Sequence, residues 1–317
     1  MYAQSRRTVT SALMAAQKSG RCAISSSRSE ARLFRRRVSE GELVEPHPGL
    51  FAHAELWTGL TPTDRALHVL RAIAVVRPEW VFSHHSAAAI HGLYASAAHL
   101  AQVHVTSPYS RTARNTVHHI RSDVSSVTVD GMRVTPLEQT VFDCLKELDF
   151  RFGLAIADSG CARLGVAACE LVDLIRLRWK GCKGLSRALA TAAHADARSE
   201  SGGESVARAV MIEEGFQLPD LQVEIPDPMN PAKAYRVDFL WKTWSGELIA
   251  GELDGMVKYR TPRFMGGRSL EGVLLDERER ESRLSAAGIR VVRFKYSQVL
   301  DTGYFARLLD RYGVPRA

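Results

Sequence analysis

A chain of 317 residues is long enough for two or three domains and a sizeable core. Its 45% apolar and 24% charged content is ordinary for a globular protein, and neither an internal repeat nor a low-complexity segment is present. The net charge of +7 favours a polyanionic partner. No apolar run reaches the roughly 18 residues of a spanning helix. The N-terminal MYAQSRRTVTSALMAAQKSG lacks the continuous apolar region of a signal peptide. Cys22, Cys144, Cys161, Cys169 and Cys182 are scattered, odd in number and without Cys-x-x-Cys spacing. These features lead us to expect a reducing, cytoplasmic setting, no membrane contact, no disulfide framework and no cysteine-based zinc cluster.

Residues 1–56 carry the strongly basic stretch Arg28–Arg37, RSEARLFRRR. The spacing of Ala31, Leu33/Phe34 and Val38 predicts a helix with one apolar stripe and an arginine-rich opposite side, stopped at Gly41. Two short strand-like runs about Pro46–Gly49 follow. A basic helix before a small hairpin is the outline of a winged helix-turn-helix, whose helix enters a DNA groove while the hairpin meets the backbone. Arg28, Arg32, Arg35 and Arg36 are the candidate DNA contacts. The plain alternative is a solvated basic helix beside a turn.

Residues 57–199 read as a mixed α/β middle region. Helices are predicted over Asp64–Val76, Ser86–Leu93, Leu137–Leu148, Phe152–Arg163, Ala167–Leu177 and Leu185–His194. Short strands are predicted over Val103–Thr106, Val117–Ile120 and Val127–Val134. His84, His85 and His91 invite a metal hypothesis, but no carboxylate stands near them in the sequence. SHHSAAAIHGL therefore reads as small-residue helix packing, and His118–His119 receives the same reading.

Residues 200–317 form the expected last domain, in the order α-β-β-β-α-β-α. Ser201-Gly-Gly-Glu204 has capping-box spacing and opens a helix ending at Gly215. A strand near Leu221–Ile225 precedes the hairpin Tyr235–Lys242 and Leu248–Asp254. In that hairpin Val237, Phe239 and Trp241 share one face. The other face sets Asp238 opposite Glu252 and Arg236 opposite Asp254, with opposed Cβ atoms about 4.5–5.5 Å apart. Two carboxylates that close need a compensating cation, and Mg²⁺ (or Mn²⁺) with its preference for oxygen ligands suits them. Glu204 and Asp254 are supporting acids, though the first has a capping role available and the second a turn role. Lys258 lies just past the second strand. A charged helix over Asp276–Ala287 follows, with Arg280 and Arg283 on one face as candidate phosphate contacts or as a solvated surface. A strand at IRVVRFKY and a closing helix over Val299–Tyr312 complete the chain.

The blocks SESGGES, GFQLPDLQVEI, RVDFLW, IAGELDGMVKY and ERERESRLSAAGIRVVRF cover about 110 residues. They resemble the actinobacterial endonuclease-like domain related to very-short-patch-repair nucleases of the PD-(D/E)XK superfamily. That resemblance implies a restriction-endonuclease-like mixed sheet flanked by helices. It implies metal ligands at Asp238 and Glu252, with Glu204 as the helical acid. Asp254 stands where the superfamily's Glu-x-Lys lysine would be, so Lys258 is the candidate substitute. The stretches GELVEPHPGLFAH, SHHSAAAIHGL, VHVTSP and VTPLEQTVFDCL in the first 200 residues are similar to AbiEi antitoxins of type IV toxin–antitoxin systems. This second resemblance implies DNA binding through the N-terminal helix, transcriptional autorepression, a cognate toxin, and no enzymatic role for the middle region.

The expectation is thus an α/β, DNA-associating, cytoplasmic protein that hydrolyses phosphodiesters with Mg²⁺ (or Mn²⁺). The alternative is a non-catalytic, antitoxin-like regulator with a degenerate nuclease fold. A nucleotidyltransferase fits less well, because the Gly-Ser and paired-Asp signature of such enzymes is missing.

Overall fold

The computed structural model describes residues 2–109, 113–254 and 270–317. The chain is α/β, with three sheets among the described residues. It divides into two compact units, Met1–Glu147 with Asp173–Leu189, and Leu148–Val172 with Ala190–Ala317.

The first unit begins with α1 (Tyr2–Lys18), β1 (Ala23–Ile24), α2 (Arg28–Ser39), β2 (Leu43–His47) and β3 (Leu50–His53). Its antiparallel sheet has the order β1-β3-β2, with β2 and β3 paired as a hairpin. Ser27 starts α2 by accepting the Glu30 N–H at 3.2 Å. Gly41 just beyond its end has φ +79°, a conformation that glycine adopts without strain. Phe34 is fully buried and stacks on Phe51 with centroids 4.5 Å apart. α1 is an addition to the elements expected from sequence. Its Val9, Leu13 and Ala16 recur at helical spacing and close over the same core.

Next come α3 (Ala54–Gly59), α4 (Pro62–Val76), β4 (Val81–Phe82), α5 (His84–His91), β5 (Val103–Ser107), β6 (Thr116–Ile120), β7 (Val127–Val129), β8 (Met132–Val134) and α6 (Leu137–Leu145). They build a mixed sheet of order β6-β5-β4-β8-β7. The single strand expected over Val127–Val134 is a hairpin instead. Asp130 and Gly131 have φ +48° and +74°. Two successive left-handed residues of Asp-Gly type make the tight turn that right-twisted strands favour.

Helices α7 (Phe150–Leu164), α8 (Ala168–Arg178) and α9 (Leu185–Ala192) follow, then α10 (Gly202–Glu213), β9 (Asp220–Asp227), β10 (Asn230–Lys242), β11 (Leu248–Asp254), α11 (Leu270–Ala286), β12 (Arg290–Lys295), α12 (Tyr296–Leu300) and α13 (Thr302–Tyr312). The sheet order is β12-β11-β10-β9. β9, β10 and β11 form an antiparallel meander, and β12 returns parallel to β11. The expected closing helix is interrupted at Asp301, whose carboxylate accepts the Tyr304 N–H at 3.0 Å and starts α13 afresh.

Val206, Val210 and Met211 of α10 and Phe305 and Leu309 of α13 cover Phe239, Trp241, Ile249, Val292 and Phe294 of the sheet. Val237 joins a second cluster with Ile225, Ala250, Leu284 and Ile289 instead. Helices therefore seal both faces. α10 is tied to α7 by a buried pair, Arg208 Nη2 to Asp158 Oδ1 at 2.6 Å. Burial holds the Asp158 carboxyl above its usual range despite the attraction of Arg208. Among the described residues, no single helix is long and apolar enough to cross a membrane.

Gly251 pairs with Phe239 across the hairpin, and a Cβ added to it would lie 2.7 Å from a Trp241 ring carbon and 3.2 Å from the Phe239 Cβ. Gly251→Ala is expected to destabilise the fold by about 1–3 kcal/mol, the usual cost of overpacking a filled core. Chemical denaturation of both proteins measures the difference. An unchanged midpoint would mean that the tryptophan ring does not cover this glycine.

Candidate functional site

The register of β10 on β11 runs Lys242↔Leu248, Trp241↔Ile249, Leu240↔Ala250, Phe239↔Gly251. The ladder ends there, with Asp238 and Glu252 as the next residues on the two strands. The expected partner of Asp254 is replaced. Arg236 pairs with Glu200 at 2.7 Å, and Asp254 takes the Arg293 guanidinium, whose Nε lies 3.0 Å from Oδ1. The reason is topological: β12 lies against the free edge of β11, with Arg293 beside Glu252 and Lys295 beside Asp254.

Glu204 is only 8% exposed in the first turn of α10. Its Oε1 accepts the Ser201 hydroxyl at 2.7 Å, and its Oε2 accepts the Glu200 N–H and the Gln222 amide, both at 2.9 Å. Ser201 caps the helix by accepting the Glu204 N–H at 3.2 Å, but the return bond of a capping box is not made, because Glu204 takes the Glu200 N–H rather than that of Ser201. Burial pushes the Glu204 carboxyl above its usual range, and the nearby charge of Asp238 pushes the same way. Gln222 reaches it from a backbone at φ +55°, a strained value for a non-glycine residue.

Asp238 accepts the Leu253 N–H through Oδ2 at 2.8 Å. Glu252 is 7% exposed and held by both arms of Arg280, Nη1 to Oε2 at 3.1 Å and Nη2 to Oε1 at 2.7 Å. Burial raises the Glu252 carboxyl. Arg280 and Arg293 oppose that shift, while Asp238 and Asp254 add to it. Four carboxylates thus share a region with two guanidinium groups. The donor set toward a cation is entirely oxygen, the chemistry that Mg²⁺ and Mn²⁺ prefer. Arg283 pairs with Glu279 of its own helix at 3.2 Å. Lys258 lies outside the described residues. The contributions of Gln222 and Arg293 were not apparent from the sequence, although both lie within the blocks that resemble the endonuclease-like domain.

On α2, Arg28, Arg32, Arg35 and Arg36 are all exposed. Arg35 makes two hydrogen bonds to Glu45, at 3.1 and 3.0 Å, and Arg36 pairs with Glu40 at 3.0 Å. Arg28 and Arg32 stand one turn apart, with no acidic partner among the described residues. The helix presents a cationic stripe, part of it internally compensated.

The histidines set aside on sequence grounds converge. His84, His85 and His104 are buried at 2%, 6% and 9% exposure. The His84 ring stacks on His119 with centroids 3.4 Å apart and planes 11° from parallel. The missing carboxylate arrives from beyond the end of α6, with Glu147 Oε1 3.3 Å from His84 Nε2. His91 is separate and donates to the Thr135 carbonyl at 2.8 Å. His118 meets Trp80 edge-on. Burial, reinforced by neighbouring histidines, holds His85 down to about 3, and His104 and His119 to about 4.

These three histidines are neutral when folded and take up protons on unfolding below their ordinary pKa near 6.5. The unfolded state binds more protons in that range, so stability is full above about pH 6.5 and falls as the pH drops toward 4. Each such group contributes up to about 1.4 kcal/mol per pH unit crossed. Thermal melts in EDTA from pH 7.5 to 4.5 measure the slope, and His85→Leu, if it folds, is expected to flatten it. A flat profile would mean that the histidines are solvated.

Two uncharacterized proteins of Mycobacterium tuberculosis, from strains CDC 1551 and H37Rv, are each 31% identical to this chain over 123 residues. The match covers 39% of this chain and spans 44% of the length of each relative. No protein-family model matches the chain, and no solved structure matches it significantly.

Proposed function

We propose that this protein is a metal-dependent DNA endonuclease. The observation carrying this reading is the convergence of Glu204, Asp238 and Glu252, from α10, β10 and β11, with burial and mutual charge raising two of them. Perturbed carboxylates of this kind concentrate at functional sites. Asp238 and Glu252 are the residues to hold Mg²⁺ (or Mn²⁺), with Glu204 and Asp254 supporting them. The ion's part is to activate water and to neutralise charge on the scissile phosphate. Arg280, which holds Glu252, would be free to meet the substrate phosphate if that acid were to hold the ion. Lys258 is the candidate for the remaining positive charge. The α2 arginines hold the duplex backbone. Arg283 serves as a flanking phosphate contact once it leaves Glu279.

A second reading has its own observation. Arg280 already satisfies Glu252 with two hydrogen bonds, and Arg293 satisfies Asp254. Such internal neutralisation suits a non-catalytic, antitoxin-like regulator that binds DNA, and a cognate toxin, without cutting.

Two experiments separate the readings, and a third tests the DNA contacts they share. Purified protein on supercoiled plasmid with Mg²⁺ or Mn²⁺ is expected to nick, and EDTA to stop it. Asp238→Asn with Glu252→Gln is expected to lower the rate by at least about 10²-fold, the scale for losing transition-state charge stabilisation. A parent that cuts neither duplex nor single strands decides for the regulator. Arg280→Ala leaves Glu252 buried without its partner, which costs up to about 3–5 kcal/mol. Under the nuclease reading, Mg²⁺ restores that melting temperature; under the regulator reading, it does not. Neutralising Arg32, Arg35 and Arg36 is expected to weaken DNA binding and to reduce the salt slope by about one unit per lost phosphate contact. An unchanged slope would make α2 an ordinary solvated face.

A further inference from the structure

We propose that His84, His119 and Glu147 form a binding site for one Zn²⁺-class dication. This site is independent of the carboxylate cluster around Glu252. The ligand atoms of the three residues all lie within 4.8 Å of one another. Around a tetrahedral ion with bonds of about 2.0–2.2 Å, ligand atoms sit roughly 3.3–3.6 Å apart. His84 Nε2 and Glu147 Oε1, at 3.3 Å, already have that spacing. His119 supplies the third donor, its ligand atom within 4.8 Å of the other two, and the terminal torsion of histidine is soft enough to close the remaining gap.

The surroundings suit a metal more than a plain ion pair. The two imidazoles come from α5 and β6, and the carboxylate from the segment after α6. The second ring nitrogens have partners of their own. Ser83 Oγ lies 3.1 Å from His84 Nδ1, and His104 Nδ1 lies 3.0 Å from His119 Nε2. Such contacts orient ligating histidines and set their tautomers. His84 also holds a backbone φ of +48°, unusual for a residue that is neither glycine nor asparagine. Strain of that kind persists where the surroundings over-determine it, and it clusters at functional positions. Glu147 is exposed while His84 is buried, which gives an ion a path from solvent to an inner ligand.

Two imidazoles and one carboxylate select the metal class. Imidazole favours Zn²⁺ and its neighbours over Mg²⁺ or Ca²⁺. Three protein ligands leave the fourth position for water. Bound there, the ion joins α5, β6 and the end of α6 within one unit, and it stabilises that unit by mass action.

The test uses the untagged full-length chain, stripped with EDTA, dialysed and titrated with Co²⁺ and Zn²⁺ in excess Mg²⁺. We expect one Co²⁺ per chain, with visible absorption bands of low-coordinate cobalt that one equivalent of Zn²⁺ erases. Glu147→Gln, an exposed change that leaves the fold intact by circular dichroism, is expected to weaken Zn²⁺ binding about tenfold or more. His119→Gln is expected to do the same. Asp238→Asn with Glu252→Gln leaves the titration unchanged, as does Cys169→Ser with Cys182→Ser, which removes the two exposed thiols. Failure to take up either metal overturns the site. Uptake indifferent to both Glu147→Gln and His119→Gln overturns it as well, and so does uptake lost in either control variant.

Discussion

Gly251 lies beneath the Trp241 ring, and that contact holds β10 to β11 in a single register. Strand side chains alternate, so a slip of one residue would carry Phe239 and Trp241 out of the core and drive Asp238 into it. The cost of stranding two aromatic rings in water is several kcal/mol by area alone. The alternation that buries the rings therefore also lines up Asp238 and Glu252 on the adjoining residues. The acidic cluster is the other side of a packing decision.

That packing leaves a charge problem, and the topology answers it. Glu252 is nearly buried, and an unpaired buried carboxylate is expensive. α11 crosses over from β11 to β12 and supplies Arg280; β12 itself supplies Arg293. Both are consequences of an edge strand laid parallel to β11, which an antiparallel hairpin alone does not provide. The meander sets the carboxylates, and the crossover sets their counter-ions. Burial raises the Glu252 carboxyl, and the two guanidinium groups oppose that rise.

Much of this was legible where the cause is local. The helix start at Ser201, the stop at Gly41 and the pleat of the acidic hairpin each depend on a few adjacent residues. Where elements differed from expectation, a short-range competitor had won. Asp130-Gly131 turned one strand into two, and Asp301 capped a new helix inside an apparently continuous one. The partners of the charged groups were not legible. Arg236 found Glu200 rather than Asp254, Arg280 reached Glu252 rather than solvent, and Glu147 met His84. Each of those contacts joins segments far apart in the chain, and no periodicity encodes them. α1 was passed over because its apolar stripe is narrow, a few positions in a polar stretch.

The two clusters differ in the one property that decides what they hold. Around Glu252 every donor toward a cation is an oxygen, and the acids are raised by burial, so a hard ion or a guanidinium relieves them. Around His84 the donors are two imidazoles and a single carboxylate, and burial lowers the His119 imidazole to about 4. A hard dication gains little from imidazole, and a borderline one gains much. With both proposed sites filled, ligand softness would sort a mixture of ions between them. The sorting needs no contact between the clusters, since each is assembled within its own compact unit by its own sheet and helices.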